Sequence, residues 1–135
     1  MNTILNKRRA GVLLHITSLP GSDEQGDLGQ DAYHFVNFLA DAGMTVWQTL
    51  PLGVTHDDGS PYQCLSAHAG NIQLISIEQL IQNGWLTESE CSSNCQKKAS
   101  KFYKNCLIAK AFFNFLDHAN SEDKADFKQF CKDKA

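Results

Sequence analysis

Residues 45–50 read TVWQTL and are followed by Pro51, which ends the run. Short runs of β-branched and aromatic residues between turn residues are typical of strands. A similar run, GVLLHI, occupies residues 11–16. Because GVLLHI is nearly continuous in apolar residues, we expect it to form a strand buried on both faces, as in a parallel sheet, and TVWQTL to form a second strand.

The segment between these runs has the spacing of an amphipathic helix. Apolar side chains recur at intervals of three and four, at Ala32, Phe35, Val36, Leu39 and Ala42. Gly43 follows directly, and glycine is the usual residue in the left-handed position after a helix. The sequence therefore predicts a βαβ unit, with a helix over residues 31–42 between two parallel strands.

A long polar loop follows the second strand. It runs from Gly53 to Asn71 and contains the sequence SPYQ at residues 60–63. Ligands bind at the carboxyl ends of parallel strands in open sheets and barrels, so we expect this loop to border a binding site. The ring of Tyr62 can lie along a sugar face while amides and hydroxyls bond the sugar hydroxyls. An ordinary turn, in which Pro61 fixes the backbone and Tyr62 merely packs, fits the same composition.

Other residues that could carry chemistry have simpler explanations. Asp57 and Asp58 form the acidic pair expected at this edge, but adjacent side chains usually point apart, so a solvated turn is the preferred interpretation. His15, at a strand end, is interpreted as a buried, hydrogen-bonded histidine rather than a ligand-binding group. Cys91 and Cys95 fit no common zinc spacing, so a thiol or metal protein is kept only as an alternative.

Composition narrows the class of protein. The 135 residues are 42% hydrophobic with a formal net charge of −3, which indicates a globular chain and argues against a general nucleic-acid binder. Neither lysine nor arginine occurs between Arg9 and Lys97, so the expected ligand of this part is a neutral polyol or a cation. Reduced cysteines, no apolar leader and no membrane-length run lead us to expect a cytoplasmic protein without a membrane partner.

The second half of the chain has helical spacing. Helices are expected over residues 77–84, with Gly84 as the stop, and over residues 97–118. A last helix is expected with Ser121 as its N-terminal cap. The apolar side chains expected to face the core from these last two helices are Phe102, Cys106, Ala109, Phe112, Phe113, Leu116, Ala125, Phe127, Phe130 and Cys131.

Six short sequence blocks occur in order along residues 10–71, and together they form a pattern specific enough to compare with known families. They read AGVLLHITSLPG, GDLG, WQTLPLG, SPYQ, SA and AGN. This succession closely resembles the start of amylomaltases, the bacterial 4-α-glucanotransferases of glycoside hydrolase family 77, also called disproportionating enzymes. The resemblance is dense over residues 10–86 and looser from Lys97 onward.

The resemblance implies an α/β fold, the N-terminal portion of a (β/α)₈ TIM barrel. This portion would hold the first βαβ unit plus an inserted helical segment, and would be incomplete. The implied divisions are a polar lead-in over residues 1–9, the βαβ unit with its substrate loop over residues 10–86, and a helical segment over residues 87–135. Two parallel strands are also too few to bury such apolar runs, which fits an incomplete barrel.

The resemblance also implies the activity: retaining transfer of α-1,4-glucan segments between maltodextrins or to glucose, without cofactor or metal. Tyr62 matches a tyrosine stacked near the sugar at the cleavage point, and Ser60 matches a substrate-contacting serine. Gln63 and Asn71 match positions that shape the same wall. Nothing in the sequence matches the family's catalytic carboxylates, so we expect no catalytic residue here and no activity from this chain alone. The alternative is a stand-alone glucan-binding or interaction module without catalysis.

The sequence departs from the family pattern in the same loop. Family members often carry a tyrosine in the turn before the SPYQ block, linked to a secondary glucan site, where this chain has HDDG at residues 56–59. Cys64 and His68 stand where serine and an aromatic residue are common. The resemblance therefore does not extend to a secondary glucan site.

Overall fold

The computed structural model describes residues 7–21, 25–66, 69–92 and 101–134. Parts of four sequence predictions fall outside these ranges: the lead-in before Lys7, His68, Cys95 and the helix start at Lys97. The chain divides into two compact units, Met1–Ser76 and Ile77–Ala135. These compact units do not test the domain boundaries predicted from the sequence, which therefore stay a prediction.

In the first unit, two short parallel strands are joined through one helix. The elements are β1 at Gly11–Leu13, α1 at Gln30–Asp41 and β2 at Val46–Gln48. Gly11 pairs with Val46, and Leu13 pairs with Gln48, in parallel register. The predicted parallel βαβ unit is confirmed. Both strands are shorter than their apolar runs, and a 3-10 turn at Ile16–Ser18 follows β1.

Helix α1 covers one face of this small sheet. The rings of Phe35 and Trp47 meet edge to face, with centroids 5.0 Å apart. The indole N–H of Trp47 donates to the carbonyl oxygen of Leu14 at 2.7 Å, which ties β2 to the end of β1. Gly43 ends the helix with a φ of 72°, the left-handed conformation predicted for it.

The prediction that the first strand is buried on both faces is wrong. Side chains alternate along a strand, so Leu13 and Val46 lie on the face opposite Trp47. Leu13 is 57% exposed and Val46 is 37% exposed. The physical reason is that the described sheet has two strands and α1 packs on one side only. We call the surface formed by Gly11, Leu13, Val46 and Gln48 the open face; a cavity of about 290 Å³ opens on it.

The second unit is helical. Its elements are α2 at Ile77–Gln82, α3 at Glu88–Ser92, α4 at Lys101–His118 and α5 at Ser121–Lys134. Leu86, Leu107 and Ala111 form its core, with Leu80 and Trp85 packed against it. Gly84 ends the α2 segment with a φ of 75°, as its position after the helical run predicts. None of the described helices is both long and apolar enough to cross a bilayer.

The predicted core face of α4 is wrong. Phe102 is 77% exposed and Phe113 is 65% exposed, and Cys106 is exposed as well. The buried positions are instead Lys104, Leu107, Ala111 and Phe115. Both sets satisfy a spacing of three and four because the helix carries apolar residues on most of its circumference. The neighbours decide the face: α2 contacts α4, and Trp85 meets Phe115 at 5.1 Å.

The prediction for α5 is wrong in two respects. The apolar positions expected to be buried are exposed, since Phe130 is 60% exposed and Cys131 is exposed. Only Phe127, which is 37% exposed, makes ring contacts with α4 among those positions. The cap is Asn120 rather than Ser121, because the side-chain oxygen of Asn120 accepts from the backbone N–H of Asp123 at 2.8 Å.

Replacing Asn120 with alanine should destabilise the second unit by about 1 kcal/mol, the usual effect of losing an N-cap side chain. The matched control is Ser121→Ala, which leaves the capping bond from Asn120 intact. Denaturant unfolding of both variants, followed by helical circular dichroism, measures the difference. Equal stability of Asn120→Ala and Ser121→Ala would contradict the assignment of the cap.

A capping box starts α3. The backbone N–H of Thr87 donates to the carboxylate of Glu90 at 2.8 Å, and the Thr87 hydroxyl accepts from the backbone N–H of Glu90 at 3.4 Å. The spacing Thr-x-x-Glu is the sequence signature of this motif. The same carboxylate lies 3.0 Å from the ammonium group of Lys110 on α4. Glu90 therefore joins the start of α3 to α4.

Acid should weaken this junction. The hydrogen bond from Lys110, followed by the hydrogen bond from the Thr87 backbone, lowers the pKa of Glu90 from 4.5 to about 2. Because the folded-state pKa is depressed, the stabilisation is fully present above pH 4.5 and is lost as pH falls toward 2. Carboxyl-carbon NMR titration of Glu90 measures the pKa directly. Lys110→Met should raise it toward 4.5, and an unchanged value in this variant would contradict the assigned cause.

Candidate functional site

The loop after β2 is closed at its base by paired backbone segments. Gly53 bridges Gly70, and Thr55 bridges Cys64, both in the antiparallel sense. The backbone N–H of Leu65 donates to the carbonyl oxygen of Val54 at 2.7 Å. The loop therefore leaves and returns at one neck, as compact surface loops do.

The backbone segments of the neck leave no room for a side chain at Gly53, but they leave room for one at Gly70. A Cβ atom added at Gly53 would lie 2.1 Å from the carbonyl oxygen of Ser66. A Cβ atom added at Gly70, the partner in the same bridge, would meet nothing within 4 Å. Glycine at position 53 thus allows the two backbone segments to approach each other.

The thiol of Cys64 lies inside the loop, near three carbonyl oxygens. Its sulfur is 3.3 Å from the oxygen of Pro61 and 3.8 Å from the oxygens of Pro51 and Gly53. It therefore joins the tip of the loop to its base. Sequence reasoning missed this bracing role, since no spacing rule marks a cysteine inside a loop. A hydroxyl group could donate to the same carbonyl groups.

The tip of the loop is a braced turn. The backbone N–H of Gln63 donates to the carbonyl oxygen of Ser60 at 3.1 Å. The backbone N–H of Ser60 donates to the side chain of Asp58 at 3.1 Å, and Gly59 between them has a φ of 70°. On this fixed turn, Tyr62 is 79% exposed. A tyrosine this exposed contributes little packing to its own unit, which disfavours the interpretation that Tyr62 merely packs.

Asn71 lies at the neck and not at the tip. Its side-chain oxygen accepts from the backbone N–H of Gln73 at 3.0 Å and caps the 3-10 helix Ile72–Leu74. The side-chain N–H groups are not used in that cap, so they can still donate. The structure thus brings Ser60, Tyr62 and Gln63 together in one turn, and places Asn71 beside the Gly53–Gly70 bridge.

Comparison with known proteins identifies the family. A family model described as 4-alpha-glucanotransferase, of glycoside hydrolase family 77, matches residues 14–135. The chain belongs to the 4-alpha-glucanotransferase family. The residues of the braced loop lie within the matched range, as do β2 and the whole second unit.

Individual members of the family align with most of this chain. The 4-alpha-glucanotransferase of Synechocystis is 39% identical over 96% of this chain and 27% of its own length. That of Streptococcus pneumoniae is 39% identical over 96% of this chain and 26% of its own length. The structure of an amylomaltase from Streptococcus agalactiae in complex with acarbose matches with a TM-score of 0.77 and 36% identity, over 93% of this chain and 27% of that one. The chain spans about a quarter of the length of the relatives it matches.

The charged groups at the tip of the loop are Asp57 and Asp58. Both are exposed. A retaining glycosidic reaction needs two carboxyl groups about 5 Å apart that flank one bond. Asp58 instead accepts from the backbone N–H of Ser60, which agrees with the expectation of a turn carboxylate. Asp58 therefore braces the turn, and Asp57 is exposed beside it.

His15 occupies the carboxyl end of β1. It is 9% exposed, and its Nδ1 lies 2.8 Å from the Thr17 hydroxyl and 3.3 Å from the Thr17 backbone nitrogen. The prediction of a buried histidine is confirmed. The prediction that it is fully hydrogen-bonded is wrong, because Nε2 has no partner among the described residues. Nε2 is therefore shielded from solvent.

Within the described ranges, no three His, Cys, Asp or Glu side chains come together as a metal site would require. Among the described residues, Cys64, Cys91, Cys106 and Cys131 form no disulfide. Since Cys95 lies outside the described residues, the metal hypothesis built on Cys91 and Cys95 stays a prediction.

Proposed function

We propose that this chain forms one wall of the glucan-binding cleft of a 4-α-glucanotransferase. The activity of the whole protein is the transfer of α-1,4-glucan segments between maltodextrins or to glucose. The observation that carries the proposal is Tyr62, 79% exposed on a braced turn of a loop that follows the carboxyl end of a parallel strand. In this fold class, ligands bind at that edge.

The chemistry of the loop suits a sugar. A glucose unit has apolar ring faces edged by hydroxyl groups, so an exposed aromatic ring can cover a face while neighbouring polar groups bond the hydroxyls. Ser60 and Gln63 share the turn with Tyr62 and supply a hydroxyl and an amide. The only charged loop residues are acidic, which suits a neutral ligand better than a phosphate.

The fold of the first unit supports a place in a (β/α)₈ barrel. A barrel strand has a helix on its outer face and other strands' side chains on its inner face. In this chain α1 packs on the Trp47 face, and Leu13 and Val46 lie on the open face. We assign the chain to the N-terminal, incomplete portion of such a barrel, with the open face directed inward.

The proposed reaction is a double displacement with retention, carried out by two carboxylates about 5 Å apart. We assign no catalytic residue, metal or cofactor to this chain, and Ser60, Tyr62, Gln63 and Asn71 bind substrate. The structure of a relative in complex with acarbose supports a maltodextrin or other α-1,4-glucan as the partner. The proposed compartment is the cytoplasm, where free thiols such as those described persist.

Two measurements on the 135-residue chain test the proposal. Titration with maltotriose should shift the NMR signals of residues 60–63, because the loop binds the sugar. Incubation with maltotriose should release no glucose and form no longer dextrins, because the proposed catalytic carboxylates are not in this chain. Disproportionation by this chain would overturn the assignment of a binding wall without chemistry. Loop signals that do not respond to maltotriose would overturn the sugar wall itself.

A further inference from the structure

The open face of the sheet carries a polar side chain at the edge where the substrate loop begins. Gln48 is the last residue of β2, and alternation along the strand places it on the same face as Val46, opposite Trp47. Gln48, Leu13 and Val46 line the cavity of about 290 Å³ on this face. Arg9, the other polar residue of the lining, precedes β1 and so lies at the amino edge.

The side-chain amide of Gln48 is available for a ligand. The backbone oxygen of Gln48 accepts from the N–H of Leu14 at 3.0 Å, which completes the strand pairing. Its side-chain amide makes no hydrogen bond to any residue in the described ranges, and the side chain is exposed. A free amide offers two donors and an acceptor, the combination that a pair of sugar hydroxyls requires.

Gln48 lies close along the chain to the neck of the loop that carries Tyr62. Five residue steps separate Gln48 from Gly53 at the loop neck, and an extended chain of that length spans at most roughly 18 Å. An oligosaccharide of a few glucose units can cover such a distance. A glucan stacked on Tyr62 and directed toward the open face would therefore pass the carboxyl end of β2.

We propose that Gln48 is a further substrate-contacting residue, whose side-chain amide hydrogen-bonds the hydroxyls of another glucose unit of the glucan that is held at Tyr62. This inference rests on the proposed function, since it needs a glucan at the loop. It adds a polar contact on the inner side of the sheet, distinct from the turn of residues 60–63. The contact extends the site beyond the loop and onto the strand itself.

The test is a maltotriose titration of the 135-residue chain with ¹⁵N-labelled side-chain amides. The Gln48 side-chain signal and the Tyr62 ring signal should shift along one saturation curve. Gln48→Leu should raise the maltotriose Kd about three- to tenfold, the loss expected for one or two hydrogen bonds. Gln48→Glu keeps the side-chain length but removes both donors, and should also raise the Kd. Gln82→Leu, at an exposed glutamine at the end of α2, is the matched control and should bind as the unaltered chain does.

The outcomes separate this inference from the proposed function. The indole N–H signal of Trp47, which is bonded to Leu14, reports in every variant that the sheet is folded. A shift at Tyr62 with no shift at Gln48, and an unchanged Kd for Gln48→Leu, would overturn the role of Gln48 and leave the sugar wall standing. No shift at either residue would overturn both.

Discussion

Replacing Gly53 with alanine should open the loop and weaken glucan binding with it. The added Cβ atom would lie 2.1 Å from the carbonyl oxygen of Ser66, far inside contact distance, so the backbone must move. Overpacking of this kind costs about 1–3 kcal/mol. The strain falls on the bridges that hold the turn of residues 60–63 in place, so the exposed ring of Tyr62 loses its fixed position.

Amide hydrogen exchange at Leu65 measures this opening. Its N–H donates to the carbonyl oxygen of Val54 inside the neck, so exchange requires the neck to open. Exchange should be about tenfold faster or more in Gly53→Ala, which corresponds to about 1.4 kcal/mol. The maltotriose Kd should rise in parallel with the exchange rate.

Gly70→Ala is the matched control for this prediction. It changes the other residue of the same bridge, where an added Cβ atom meets nothing within 4 Å. We expect Leu65 exchange and maltotriose binding to stay within a factor of about two of the unaltered chain, since surface substitutions without contacts have small effects. Equal effects of the two substitutions would show that the close approach at Gly53 does not hold the loop.

The sequence predicted the first unit well, because its signals are local. The spacing of α1 and the apolar runs of β1 and β2 each have one simple interpretation, and parallel pairing follows from their order. Burial could not be predicted in the same way. The exposure of Leu13 depends on how many strands the sheet has. An apolar run in the sequence carries no information about that number.

The second unit shows where periodicity stops being informative. Helix α4 carries apolar residues around most of its surface, so two different stripes satisfy the spacing of a buried face. Packing against Trp85 and α2 selects Leu107, Ala111 and Phe115, and this choice is a tertiary property. Lys104, which is 8% exposed, then lies on the buried face, where the sequence predicts solvated lysines.

The sequence indicated which residues form the candidate site, but it did not indicate the contacts that hold the loop in place. The composition of the loop left an ordinary turn open; the family resemblance singled out Ser60, Tyr62 and Gln63, and the structure places all three on one turn. The close approach at Gly53 and the thiol of Cys64 were not predictable, since both depend on which segments meet across the loop. Such contacts join residues distant in sequence, where local patterns carry no information.

Replacing Tyr62 with alanine should weaken maltotriose binding at least about tenfold, or about 1.4 kcal/mol. The substitution removes the exposed ring that we place against the sugar face, and lost aromatic contact area is worth this much in comparable settings. Stability should change little, since the side chain is 79% exposed. Isothermal titration calorimetry of the purified chain measures the Kd, and the indole N–H NMR signal of Trp47 verifies the fold.

Two controls make the Tyr62 result specific. Tyr62→Phe keeps the ring and loses only the hydroxyl, so its Kd should stay within about threefold, the loss of a weak hydrogen bond. Tyr33→Ala removes another exposed tyrosine, 55% exposed on α1 and outside the loop, and should leave binding unchanged. If Tyr62→Phe weakens binding as much as Tyr62→Ala, the phenol hydroxyl and not the ring holds the sugar. If Tyr33→Ala weakens it equally, the sugar is not bound at the loop, and the wall centred on Tyr62 must be abandoned.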